Sequence, residues 1–160
     1  MFSLSLDLRP GTRDFGFVDG DQIVKNKDLT PNFQYETVRR NPNKAVIAWL
    51  DQLPGEALFV SVLTLGEIRK GIEALTDKRR REKLRLWLEY ELPAWFEGRV
   101  LAVDLFVADR WGRLLAEVGR PVPTIDSLLA ATALHHELRL VTRNAGDFDY
   151  PGLQVINPFG

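Results

Sequence analysis

From residue 42 onward the chain alternates short apolar runs with segments of helical periodicity. That alternation argues for an α/β fold, a mainly parallel sheet with helices on both faces. Pro42 suits the first turn of a helix, and Ala45, Val46, Trp49, Leu50 and Leu53 recur at helical spacing up to Pro54-Gly55. Residues 58–63 form a short apolar run with two valines, read as a buried strand. The run leads into a helix with Ile68, Ile72 and Leu75 on one face. A second helix is predicted over about 78–91, a strand over 100–103, and a helix after Asp104 that Gly119-Arg120-Pro121 breaks. Residues 124–136 read as a helix, Arg139–Thr142 as a strand and 153–156 as a last strand.

The first 40 residues are less regular. Residues 2–8 alternate apolar and small polar types, a strand signal that Pro10-Gly11 ends. Phe15–Val18 is a second short apolar run, leading into Asp19-Gly20-Asp21, and 25–32 reads as a loop. With 160 residues and no internal repeat, the chain reads as one domain. Residues 36–160 carry the regular pattern, and 1–35 form a divergent segment of the same domain.

In such sheets functional groups gather beyond the carboxyl ends of the strands. Acids stand at those places: Glu67 after the run at 58–63, Asp104 after 100–103, Asn144 and Asp147 after Arg139–Thr142, and Asp126 near the start of the helix before it. Carboxylates converging on one rim require a cation to stay charged together. The chain has no cysteine and only two histidines, His135 and His136, so a metal here is held by oxygen, which favours Mg²⁺, with Mn²⁺ possible. The matching chemistry is metal-assisted phosphodiester hydrolysis.

Each acid also has a structural explanation. Thr64 and Glu67 form T-x-x-E, a capping box. Asp126 follows Thr124 closely enough to favour the helix dipole, Asp104 reads as a helix N-cap, and Asp147 lies in the turn-rich Asn-Ala-Gly-Asp.

Five blocks in order carry a resemblance to a known family: ETVRRNPNKAVIAWLDQLP (36–54), LFVSVLTLGEIRKGIEAL (58–75), FEGRVLAVD (96–104), RPVPTIDSLLAATALHHELRLVTRN (120–144) and DFDYPGLQVINPF (147–159). Together they resemble a PIN-domain ribonuclease of the VapC toxin type, in the FitB-like subgroup. The resemblance implies a PIN-like doubly wound sheet and a Mg²⁺-dependent endoribonuclease, acting as the toxin of a type II toxin–antitoxin system and opposed by a cognate antitoxin. It also implies self-pairing into a homodimer. Carried over by position, the family's second acid falls on Glu67 and its third on Asp126. The fourth falls on Asn144, with Asp147 three residues on.

The family's first acid closes a buried strand in Asp-Thr-Asn. Counting back from Glu36 it falls on Thr30, in Leu29-Thr30-Pro31-Asn32, and the residues before it, including Asp28, are too polar for a buried strand. Asp19, directly after the apolar Phe15–Val18, is the better physical substitute as a metal ligand. Asp19, Asp28 and Thr30 thus remain the three candidates, and loss of this acid would weaken metal binding. The alternative to an enzyme is a catalytically weakened PIN-like module that sequesters an antitoxin or dimerises.

Net charge is −1, so attraction to RNA must come from a local patch. Lys78–Arg81 with Lys83 and Arg85 is the strongest such cluster. It can meet phosphates, with Trp87, Trp95 and Phe96 nearby as stacking candidates, or be a solvated face paired with Glu82 and Glu89. Trp49 and Trp111 lie on apolar stripes and read as core. His135 and His136 end a helix, where a cation is favoured. No apolar run approaches the roughly 20 residues that span a bilayer, no membrane partner is expected, and MFSLSLDLRPG lacks a signal peptide's features. The expected location is cytoplasmic.

Overall fold

The structure, a computed structural model, describes residues 15–18, 44–50, 52–53 and 57–159. Its sheet has five strands: β1 (Phe15–Val18), β2 (Leu58–Ser61), β3 (Val100–Leu101), β4 (Arg139–Thr142) and β5 (Val155–Ile156), in the order β3-β2-β1-β4-β5. The helices are α1 (Lys44–Leu50), α2 (Val62–Glu73), α3 (Lys78–Leu86), α4 (Leu92–Trp95), α5 (Leu105–Val118) and α6 (Thr124–His135). The alternating strands and helices form the α/β architecture expected from the sequence. The strand expected at 2–8 and the loop at 25–32 lie outside the described residues.

β2 and β3 are parallel, as are β4 and β5. The central strand β1 runs antiparallel to both β2 and β4, so the four outer strands share one direction and β1 alone opposes them. Phe15 pairs with Thr142 at the end of β4, while Val18 pairs with Leu58 and Arg139, the first residues of β2 and β4. The chain thus enters β1 at the carboxyl-end rim of the outer strands and leaves it at the opposite rim.

β2 ends two residues earlier than the apolar run suggests, because Ser61 caps α2: its hydroxyl accepts the Leu63 N–H at 3.1 Å. Asp77 caps α3 through the Arg80 N–H (3.1 Å) and Asp104 caps α5 through the Val107 N–H (2.9 Å). Such caps satisfy amide donors that have no partner inside the helix. Gly119, at φ 63°, closes α5 in the left-handed region.

α3 continues through a single wide π turn, Trp87–Glu91, into α4, extending the predicted helix to Trp95. Pro93, which lacks an amide hydrogen, sits just beyond. A regular α-register would drive its ring against the carbonyl four residues back, and the wider turn avoids this.

The core joins Val60 and Leu140 of the sheet to Ile72, Leu92, Phe96, Leu114 and Leu129 of the helices. On α6, Ala130, Ala131 and Ala133 are fully buried, which lets that helix lie close to its neighbours. No helix among the described residues is long and apolar enough to cross a membrane.

Candidate active site

Three observations orient α6. Arg120, four residues before it, donates to the Asp149 carbonyl at 3.5 Å, in the loop after β4. Leu134, near its end, lies against Gly152, just before β5. The Leu138 N–H closes the turn into β4 by donating to the Ala133 carbonyl at 2.9 Å. The first turn of α6 therefore stands at the carboxyl-end rim, and the helix runs back along the sheet.

Asp126 occupies that first turn and is 1% exposed. Its helix begins at Pro123, which offers no side-chain cap, so the acid adds favourable charge where the amides are uncapped. Ser127, next to it, is fully buried. The Ser127 hydroxyl donates to the Thr124 carbonyl and accepts from Trp111 Nε1, both at 2.9 Å. A hydrogen-bond chain from α5 thus holds the turn that carries Asp126. Trp111, read as core, is only partly buried and has this polar role as well.

Glu67 lies half-buried in α2, the helix that begins directly at the end of β2. Because Ser61 is the cap, Thr64 is inside the helix and the expected capping box does not form. Thr64 is 2% exposed, and its hydroxyl oxygen has no hydrogen-bond partner among the described residues. It shares a face with Glu67 by its i, i+3 spacing.

After β4, the buried Thr142 hydroxyl accepts the Asn144 N–H at 3.1 Å, and Asp147 closes a short turn by donating its N–H to the Asn144 carbonyl at 3.0 Å. Asn144 is half-buried and Asp147 exposed. Ser127 and Thr142 were missed by sequence reasoning, and Thr64 was singled out only as a cap. Thr142 had a signal, since Thr-Arg-Asn at a strand end favours such a hydroxyl turn.

Asp104 is elsewhere. Its carboxyl is held below the usual range chiefly by the Val107 N–H, with the Phe106 N–H, His135 and His136 adding to this. Those histidines close α6 at the end remote from Asp126, which leaves Asp104 a structural cap, as its sequence context suggests. The imidazoles of His135 and His136 stand edge to face at 4.7 Å, and Phe106 stacks on His135 at 6.0 Å. Desolvation and then the neighbouring His135 lower the pKa of His136, against the opposing pull of Asp104. The cation expected at this helix end is therefore disfavoured at His136.

Asp19, Asp28 and Thr30 lie outside the described residues. The described strand β1 ends at Val18, beside Leu58 and Arg139 at the amino ends of β2 and β4. Among the described residues no group of three or more His, Asp or Glu side chains comes together to hold a metal. Oxygen donors such as Asp126 and Glu67 suit Mg²⁺ or Mn²⁺ in kind, but the described residues do not complete a cation site.

The basic cluster divides. Arg85 binds Glu73 through both Nε (2.9 Å) and Nη2, and reaches Glu82 at 3.4 Å. This contact lowers the pKa of Glu73 and raises that of Arg85. Arg81 donates to the Leu75 carbonyl at 3.1 Å, and Glu89 pairs with Arg69 rather than with the cluster. Trp87 and Phe96 are buried, and Arg99 lies over the rings of Trp95 and Phe96 at 5.0 and 5.4 Å. These aromatics pack rather than present free faces.

A family model described as the PIN domain matches residues 33–151. The plasmid stability protein StbB of Pseudomonas syringae pv. tomato is 37% identical over 134 residues, 82% of this chain and 96% of that protein. The VapC ribonuclease Y4jK of Sinorhizobium fredii is 34% identical, and toxin FitB of Neisseria gonorrhoeae 33% identical, with the same coverage. Among solved structures, FitAcB from Neisseria gonorrhoeae shares 33% identity at a TM-score of 0.70, covering 80% of this chain and 94% of its own. The matched residues take in Glu67, Asp126, Asn144 and Asp147, and the chain belongs to the PIN-domain family.

Proposed function

We propose that this protein is a metal-dependent endoribonuclease, the toxin of a toxin–antitoxin pair. Relatives named as a VapC ribonuclease and a toxin, similar over nearly their whole length, support the activity. Solved neighbours described as FitAcB and as FitAB bound to a DNA fragment support an antitoxin partner. The observation that carries the site is Asp126, a carboxylate almost wholly buried at the carboxyl-end rim, on a turn held from α5.

In this reading Asp126 and Glu67 are two of the ligands of Mg²⁺ or Mn²⁺. Asp19, Asp28 and Thr30 remain the candidates for a further oxygen donor. When bound there, the ion would supply charge stabilisation at the scissile phosphate and a more acidic water. Asp147 or Asn144, whose N–H is held by the Thr142 hydroxyl, would position the attacking water by hydrogen bonding. The alternative, a binding module without turnover, shares the fold but lacks cleavage.

The test is RNA cleavage by the purified protein with Mg²⁺ or Mn²⁺, abolished by chelation. Asp126→Asn and Glu67→Gln should each lower the rate by more than the roughly 10–100-fold that loss of an outer-shell partner costs. Mg²⁺ should also raise the melting temperature in a concentration-dependent way, and Asp126→Asn should shrink that response. No cleavage with any divalent metal, and no thermal response, would leave the binding module as the correct reading.

A further inference from the structure

Ion pairing consumes one flank of α3 and leaves the other free. Arg81 and Arg85, one turn apart, are engaged by α2 and the residues after it. Lys78, Arg79 and Lys83 are exposed, and none makes an ion pair among the described residues. Arg79 and Lys83 are also one turn apart, so they form a stripe on a single face. The stripe continues into the π turn with Leu86, 50% exposed, and Tyr90, 69% exposed, again four residues apart. A tyrosine so exposed contributes nothing to the core, and its ring face is open. From Arg79 to Tyr90 the stripe runs about 16 Å at the helical rise.

We infer that this face, Arg79, Lys83, Leu86 and Tyr90, is a binding surface for single-stranded RNA outside the acidic rim. The inference rests on the ribonuclease reading and names the substrate class of a second surface. Two free cations followed by an open aromatic ring match the two needs of an unpaired strand: charge for its phosphates and a flat surface for a base. Leu86 lies between them and extends the apolar platform. The face also answers an electrostatic problem. An acidic rim repels the polyanion it cuts, and a cationic stripe apart from the rim supplies the attraction that a net charge of −1 cannot. A protein partner would use the exposed Leu86 and Tyr90, but it would gain nothing from two uncompensated cations unless it were itself strongly acidic.

The test is fluorescence anisotropy of a labelled 12-nucleotide oligouridylate with chelator present, so that binding is read without cleavage. Arg79→Glu/Lys83→Glu should weaken binding at least tenfold and lower the slope of log affinity against log salt by about 1.4, at about 0.7 per lost phosphate contact. Tyr90→Ala should weaken it fivefold or more, the low end of base–aromatic stacking, and Tyr90→Phe should restore binding. All four side chains are at the surface, and unchanged melting curves would show that the fold is intact. Unaltered affinity and salt slope in the charge-reversed variant would overturn the inference. If that variant still cleaves RNA as wild type does, the ribonuclease reading stands without it. Loss of antitoxin binding with RNA affinity intact would instead assign the face to the protein partner and refute the RNA assignment.

Discussion

Trp111 and Ser127 should be energetically coupled, and the coupling can be measured. Their hydrogen bond is 2.9 Å long, and Ser127 is fully buried while its hydroxyl also donates to Thr124. Trp111→Phe removes the donor but keeps a ring in the same place. A net hydrogen bond contributes about 0.5–1.5 kcal/mol, and with the smaller ring the loss should total about 1–2 kcal/mol. Ser127→Ala strands the indole N–H, an unsatisfied donor costing about 1–3 kcal/mol. In the double variant neither partner is left waiting, so its cost should fall below the sum of the two by about 1 kcal/mol. Urea denaturation of the four proteins closes the cycle, with melting temperatures following at roughly 2–4 °C per kcal/mol for a chain of this size. Additivity within about 0.3 kcal/mol would refute the reasoning, because it would mean the bond does not join α5 to the first turn of α6 in solution.

The His136 imidazole has a lowered pKa, so the folded protein binds fewer protons there than the unfolded chain. Its stability should be full above about pH 6.5 and decline as pH falls below that value, and His136→Gln should flatten the decline in melting temperature between pH 7 and 5. Glu137, at φ 56°, occupies the left-handed position that closes α6. Glu137→Gly should stabilise by about 1 kcal/mol through relief of that conformation, seen as a higher urea midpoint. Leu129 is fully buried in α6, and Leu129→Ala should cost about 2–5 kcal/mol; a cost under 1 kcal/mol would mean that the core collapses around the gap.

Most elements after residue 42 were legible because burial on both sides of a sheet forces apolar runs, and helices must show a stripe. Arg139–Thr142 is the clearest case: flanked by a helix and turn residues, it had no competing reading. Asp104 was legible as a cap because the helix start follows it directly. The Thr64–Glu67 capping box was not, since Ser61 offers the same hydroxyl three residues earlier and spacing cannot choose between them. Nor could sequence divide the basic cluster. Which arginines face α2 depends on how α2 and α3 pack, and Arg85 rather than Arg79 meets Glu73 only in three dimensions. The direction of β1 was hidden for a related reason, because a four-residue apolar run reads the same in either orientation.

That orientation has a consequence for where sequence changes act. With β1 reversed, Phe15 stands at the rim of Asn144 through its pairing with Thr142, and Val18 stands at the far rim beside Leu58 and Arg139. Substitutions at Phe15 should therefore reach the candidate site, whereas substitutions at Val18 act at the end of the sheet remote from Asn144. The central strand thus has one end beside the candidate chemistry and the other remote from it, so its four residues are not equivalent in what they can disturb.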